Sequence, residues 1–139
     1  MRINKILLLP YALVLSFLTG VIFQGCKDTI NQQDIDSRVI PSQGVSFALH
    51  IQPVLDLKCN YSGCHDDGTR AGGLSFTSYI NTTSDLSLVL PGEPQNSRLV
   101  WSIEGISGGL PMPPTGYPPM TKNQILGVRT WIKEGAKNN

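Results

Sequence analysis

Residues 59–65 read CNYSGCH and place two thiols with four residues between them and a histidine directly after the second. The related sequence C-x-x-C-H is the attachment signature of c-type haem, in which the thiols bond to the porphyrin edge and the histidine becomes an axial iron ligand. The spacing here is C-x4-C-H. Since Gly63 lets the additional residues bulge outward, Cys64 and His65 keep their relative positions. The stretch therefore predicts one covalent haem c on Cys59 and Cys64, with His65 as the proximal iron ligand.

Three other interpretations of this stretch stay open. In an exported protein Cys59 and Cys64 can form a disulfide, which would stabilise the fold by roughly 2 to 3 kcal/mol by restricting the unfolded chain. A zinc site would have to recruit His50 as well, although the adjacent side chains of Cys64 and His65 point apart. The third alternative is that His65 is an ordinary surface histidine beside two aspartates.

A second iron ligand is predicted in the segment 105–120, where nine of sixteen residues are Gly or Pro. This composition excludes a helix or a central strand and predicts a stiff, extended loop. Met112 lies between two prolines, which restrict its backbone and favour presentation of its soft sulfur to iron. The alternatives are that Met112 is an ordinary apolar plug, or that Met120 is the ligand. Since Met120 precedes a helix start, a hydrophobic staple is the favoured role for it.

The N-terminal residues 1–25 are predicted to be a lipoprotein signal peptide. Arg2 and Lys5 precede an apolar run over residues 6–23, which is the charged-then-apolar order of a secretory signal. The run continues into the sequence FQGC, which resembles a bacterial lipoprotein signal because a small residue directly precedes a cysteine that becomes lipid-modified, here Cys26. The alternative is an uncleaved anchor helix that contains this cysteine. Both interpretations predict an exported, membrane-attached protein.

Residues 26–44 are predicted to be a lipidated polar tether, and residues 45–139 the folded domain. Acyl chains contribute roughly 0.8 kcal/mol per buried methylene, so several chains on Cys26 would anchor the protein firmly. Lys27 occupies the position where an aspartate commonly retains lipoproteins at the inner membrane. This favours the outer membrane in a cell with two membranes, with the domain facing the periplasm or the cell exterior.

The charge balance excludes one class of partner. The chain has 11 Lys and Arg against 10 Asp and Glu, a formal net charge of +1, and no basic cluster. Nucleic-acid binding needs several cations on one face, so no nucleic acid is expected. Only 15% of residues are charged, while 14 Gly and 10 Pro predict long loops between the helices.

The clearest helix is predicted near the C-terminus. Thr121 and Gln124 form a capping box, and Gly135 supplies a stop. Gly127 lowers the intrinsic helicity and is taken to mark the close approach of another backbone. The apolar face of this helix consists of Ile125, Val128, Trp131 and Ile132.

Two further helices are predicted. One carries an apolar stripe that runs into Cys59, although Pro53 splits or kinks it. The other is short, spans residues 97–103 and has Ser97 as its N-cap. The first stripe consists of Phe47, Ile51, Val54 and Leu55.

In order and spacing, these pieces resemble the planctomycete-type cytochrome c-like domain found in exported bacterial proteins. The resemblance runs from about Phe47 to Gly135. Its pieces are IQPVL (51–55) before KC (58–59), SGCH (62–65), GL (73–74) with Tyr79, PGEP (91–94) leading to SRL (97–99), MPP (112–114) and WIKEGA (131–136). The resemblance implies an all-α, cytochrome c-like helical domain with long Gly/Pro-rich loops wrapped round a haem. It also implies thioethers on both cysteines, His65 as proximal ligand and Met112 as distal ligand.

The predicted function is electron transfer through an exposed haem edge, with redox proteins as partners and no enzymatic activity. A haem enzyme such as a peroxidase would need an open distal position and an acid/base group; Met112 would fill that position, and His50 is the only spare histidine. The alternative from another class is a non-haem lipoprotein that carries a Cys59–Cys64 disulfide and serves as a binding or structural module. On the haem interpretation, the cofactor supplies much of the apolar centre of a small domain.

Overall fold

Capping residues and prolines divide the chain into short helices joined by loops. The computed structural model describes residues 30–139 except residues 107 and 109. Its α-helices are α1 (Gln32–Ser37), α2 (Gln52–Lys58), α3 (Tyr79–Thr83), α4 (Arg98–Glu104) and α5 (Lys122–Lys133). A π-helical turn, Phe47–Ile51, leads directly into α2, and 3-10 turns occupy Ala71–Gly73 and Pro94–Asn96.

The described residues contain helices and no strand, so the predicted all-α class is confirmed. None of the helices within these residues has the length and apolar character needed to cross a membrane. The predicted signal peptide and Cys26 lie outside the described residues.

Helix α5 forms as its sequence predicts. The Thr121 hydroxyl accepts a hydrogen bond from the Gln124 N–H at 3.2 Å, and the Gln124 side-chain oxygen accepts one from the Thr121 N–H at 2.8 Å. These two bonds satisfy N–H groups that lack partners within the helix. Gly135 adopts a positive φ of 101° just after the helix, which permits the change of direction there. Trp131, Val128 and Ile132 are buried in the core.

The π-helical turn and α2 carry the second predicted apolar stripe. Phe47 packs against Trp131 of α5, with ring centroids 5.2 Å apart, and meets the edge of Tyr79 at the same distance. Pro53 lies in the first turn of α2, where its missing N–H costs nothing, so the proline separates two helical elements. This packing places Cys59 directly at the end of α2.

The segment predicted as a polar tether contributes to the fold from residue 31 onward. Helix α1 begins with a capping box between Asn31 and Asp34. Ile35 and Ile40 are buried, and the backbone N–H and C=O of Ile40 bond to the Asn123 side chain at 2.7 and 3.0 Å. Few apolar residues occur in this segment; Val39 is exposed, whereas Ile35 and Ile40 are buried beside α5.

Gly127 accommodates this docking. A Cβ atom at that position would lie only 2.7 Å from Ile40 Cγ2, which is closer than real contacts allow. The predicted close approach is therefore present, but the neighbour is a side chain rather than a backbone.

Helix α4 begins one residue after Ser97, as predicted, but Ser97 acts differently from the expected cap. Its hydroxyl makes no capping bond; it donates to Glu93 O at 3.0 Å and accepts from the Leu90 N–H at 2.9 Å. Ser97 is completely buried, so its hydroxyl satisfies loop backbone groups that water cannot reach.

Candidate haem-binding site

The C-x4-C-H stretch folds into a tight, hydrogen-bonded loop. The Cys59 N–H closes α2 by donating to Leu55 O at 2.9 Å, and the His65 N–H donates to Cys59 O at 3.2 Å. Gly63 adopts a φ of 88°, a conformation that other residues reach only with strain. The loop therefore returns to its starting point despite its four-residue spacing.

Two cavities of about 410 and 90 Å³ lie beside this loop and share Cys59, His65, Leu74 and Met112 in their walls. The larger is called the main cavity below. Its wall consists of Lys58, Cys59, Gly63, Cys64, His65, Ala71, Gly72, Leu74, Arg98, Met112, Pro113, Pro114 and Tyr117. This mostly apolar wall and this volume are typical of a cofactor site.

Both cysteines of the motif are free thiols in the wall of the main cavity. Burial, together with the nearby Cys64 thiol, raises the pKa of Cys59 to about 12. Cys59 is therefore a neutral thiol at neutral pH, while Cys64 is only partly buried. Two such thiols in one apolar cavity match the donor set for covalent attachment of an organic cofactor.

The His65 side chain reaches both cavities. Phe76 supports the ring edge-on, with centroids 5.0 Å apart, and the Phe76 N–H bonds to His65 O at 3.0 Å. Within the part of the chain that the structure describes, the buried His65 Nδ1 has no hydrogen-bond partner. A buried, unpaired polar atom is costly, and such atoms concentrate at functional sites.

Met112 lines both cavities, together with His65. Its backbone N–H donates to Ser102 O at 2.9 Å, which ties the Pro-rich loop to helix α4. Met120, the alternative ligand, is buried in the hydrophobic core and does not line either cavity. The structure thus brings Met112, Cys59, Cys64 and His65 together and places Met120 elsewhere.

The loop that follows His65 is held by a polar cluster around Asp67. Its carboxylate accepts hydrogen bonds from Ser75 Oγ at 2.7 Å, Thr77 Oγ1 at 2.9 Å and Asn81 Nδ2 at 3.2 Å. The bonds from Ser75, Thr77 and Arg70 lower the pKa of Asp67. This cluster fixes the backbone beside the cavity without placing a charge in its wall.

Two cations in the wall were not predicted as site residues. Arg98 lines the main cavity at the start of α4 and lies 3.7 Å from Asp85. Lys58 lines it from the end of α2. Adjacency to Cys59 was a sequence signal for Lys58, but its burial depends on contacts with distant segments.

The second histidine has a local structural role. His50 Nδ1 accepts a hydrogen bond from the Ser46 N–H at 2.9 Å and does not line either cavity. Across residues 30–106, 108 and 110–139, no group of three or more His, Cys, Asp or Glu side chains is arranged to hold a metal ion. The zinc alternative therefore lacks its ligand cluster in these residues.

Residues 62–116 match the sequence model of a family described as Planctomycete cytochrome C. The matched segment contains Cys64, His65 and Met112, and Cys59 lies just before it. The match confirms the predicted resemblance and indicates a haem cofactor and an electron-transfer role. No curated protein and no solved structure matches the chain.

Proposed function

Because residues 62–116 match the sequence model of the Planctomycete cytochrome C family, we propose that this chain is an extracytoplasmic electron carrier with one covalently attached haem c. One observation carries the proposal: two free thiols, an imidazole and a thioether sulfur all line one apolar cavity. These are the groups that attach and ligate haem c.

The chain's residues take distinct roles in this proposal. Cys59 and Cys64 would hold the cofactor through thioether bonds, and His65 and Met112 would ligate its iron. When bound, the haem supplies a one-electron couple. Phe76 packs edge-on against the His65 ring, while Leu74, Pro113 and Pro114 contribute apolar surface to the wall beside these ligands.

Arg98 is proposed to face the haem carboxylates. It contributes a guanidinium to the main cavity, and its side chain is about half exposed, at 49%. A partly exposed cation at an otherwise apolar site pairs well with carboxylates that lie near solvent.

The protein is proposed to act at a membrane surface outside the cytoplasm, with redox proteins as partners. This follows from the lipoprotein-type sequence that ends in Cys26 and from Lys27, which favours the outer membrane. Acylation of Cys26 would hold the domain at the membrane without any contribution from net charge.

An electron carrier is favoured over a haem enzyme. A peroxidase needs an open distal position with an acid/base group beside it. Met112 lies in the wall with His65, and His50 is engaged with the Ser46 N–H away from the cavity. A peroxidase assay of the holoprotein tests this directly, since turnover above that of free haem would contradict the proposal.

The main experiment is to produce the full chain in a host that attaches haem c and to record its visible spectrum under denaturing conditions. We expect a covalent haem spectrum and a reversible one-electron couple. Cys64→Ser should lose one of the two covalent bonds. Absence of covalent haem from the wild-type protein would contradict the proposal.

The matched control is Cys26→Ser. This variant should keep the haem spectrum and lose the acyl mass and the membrane association, because the two cysteine functions are independent. If wild-type Cys26 carries no acyl group, the lipid-anchor part of the proposal is wrong while the haem part stands.

A further inference from the structure

An ion pair with a buried lysine lies at the wall of the main cavity. Lys58 Nζ is 2.8 Å from Asp36 Oδ1 and also donates to Pro119 O at 2.9 Å. Gln124 Nε2 donates a hydrogen bond to the same Asp36 Oδ1 at 3.0 Å. Helix α1, helix α2, the Pro-rich loop and helix α5 therefore meet at one charged cluster.

The two members of the pair differ in exposure. The Lys58 side chain is 0% exposed, whereas the Asp36 side chain is 34% exposed. Lys58 contributes to the cavity wall and Asp36 does not. Since water screens an exposed charge far more than a buried one, we expect the Lys58 charge to act on the cavity more strongly than the Asp36 charge.

Burying a lysine is expensive, because the ammonium group loses its hydration. Replacing such a pair by apolar residues often stabilises a fold, so stability alone is a poor explanation for it. A fixed positive charge beside a redox cofactor has a direct consequence, however. The oxidised form of a one-electron couple carries one more positive charge than the reduced form, so the ammonium group disfavours oxidation.

We propose that the Lys58–Asp36 pair sets the reduction potential of the cofactor in the main cavity, with Lys58 raising the potential and Asp36 lowering it. This inference rests on the proposed function. It also gives helix α1 a role at the haem site, because Asp36 belongs to that helix.

The test measures the reduction potential of the holoprotein by spectroelectrochemistry in two variants. Lys58→Met removes the positive charge and should lower the potential, whereas Asp36→Asn leaves Lys58 without its counter-ion and should raise it. We expect each to change the one-electron equilibrium constant about tenfold, which is about 59 mV. The double variant should return close to the wild-type potential.

A purely structural role predicts a different result. Loosening the cluster would admit water to the cavity and shift both single variants in the same direction. Shifts of the same sign, or no shift in Asp36→Asn, would overturn the inference. Asp36→Asn keeps the size of the side chain and one acceptor oxygen for Lys58 and Gln124, so it remains informative if Lys58→Met folds poorly.

Two controls sharpen the measurement. Lys133→Met removes an exposed lysine outside the cavity wall and should leave the potential unchanged. The shift in Lys58→Met should persist between about 0.1 and about 1 M salt, because a sealed charge is screened little. If the wild-type protein shows no one-electron couple at all, the proposed function fails as well, and this outcome differs from a couple that the two variants do not move.

Discussion

The helical base and the cavity loop of this domain differ in how they use their apolar side chains. The helical base consists of the Phe47–Ile51 turn, α2 and α5, and its central residue Trp131 is 0% exposed. The cavity loop spans residues 105–117; its apolar side chain Leu110 is 77% exposed, and its Met112 lines the main cavity. The base completes its own core, whereas the loop contributes side chains to a space that protein atoms do not fill.

A cofactor would therefore pack against the cavity loop rather than against the core of the helical base. Removing a buried side chain from the base should destabilise the domain, while removing one from the cavity loop should alter the cofactor site first.

Trp131→Ala should destabilise the domain by about 3–5 kcal/mol, because it leaves a large cavity among Phe47 and its neighbours. Urea denaturation measures the effect. Leu126→Ala on the same helix is the control: its side chain is 61% exposed, so the expected change is within about 0.5 kcal/mol. Equal effects of the two variants would show that α5 does not pack as described.

Substitutions of Met112 and Met120 should distinguish iron ligation from packing in the hydrophobic core. Met120→Ala should lower the free energy of unfolding by about 2–5 kcal/mol and leave the thioether-to-iron band of the holoprotein intact, because Met120 lies in the core. Met112→Ala should abolish that band. An unchanged band in Met112→Ala, together with its loss in Met120→Ala, would reassign the distal ligand.

Gly127→Ala tests whether the segment before residue 45 belongs to the base. The added methyl group would meet the Ile40 side chain at 2.7 Å, so we expect a loss of about 1–3 kcal/mol in urea denaturation. In an Ile40→Ala background the same substitution should cost much less. An equal cost in both backgrounds would mean that Ile40 is not the obstacle.

The smallest expected effect concerns acid stability. Hydrogen bonds from the Gly44 and Val45 N–H groups, at 2.7 and 2.9 Å, lower the pKa of Glu134 from its ordinary value of 4.5. Because the folded-state pKa is the lower one, this carboxylate stabilises the fold above pH 4.5, and the contribution is lost as the pH falls through the folded-state pKa. Glu134→Gln should therefore lose less stability on acidification than the wild type, measured by urea midpoints across this range. A parallel pH dependence in the two proteins would contradict it.

Much of the fold could be predicted because its signals are local. The Thr121/Gln124 capping box and the apolar stripe ending at Cys59 depend on residues within a few positions of one another, and both elements are present. Helix α1 was not predicted, since its burial depends on Ile35 and Ile40 meeting α5 far along the chain. Ser97 was predicted in the right place, but its hydrogen bonds go to loop residues rather than to its own helix.

The candidate site also contains some residues that the sequence predicts and others that it does not. Cys59, Cys64, His65 and Met112 are marked by motif spacing and by flanking prolines, and the structure brings all four to one cavity. Leu74, Arg98 and Tyr117 carry no local signal that would assign them to the same wall. Their positions follow from how separate loops pack.

Local sequence patterns predict the available chemistry, namely two thiols, an imidazole and a Pro-flanked thioether. They also predict helices α4 and α5, because these signals depend on neighbouring residues, but they do not predict α1 or α3. The tertiary structure sets which thioether reaches the cavity, and it buries the Lys58 ammonium group against Asp36 and Pro119. The physical reason is that burial and electrostatic fields are set by contacts between segments distant in sequence, which no local pattern specifies.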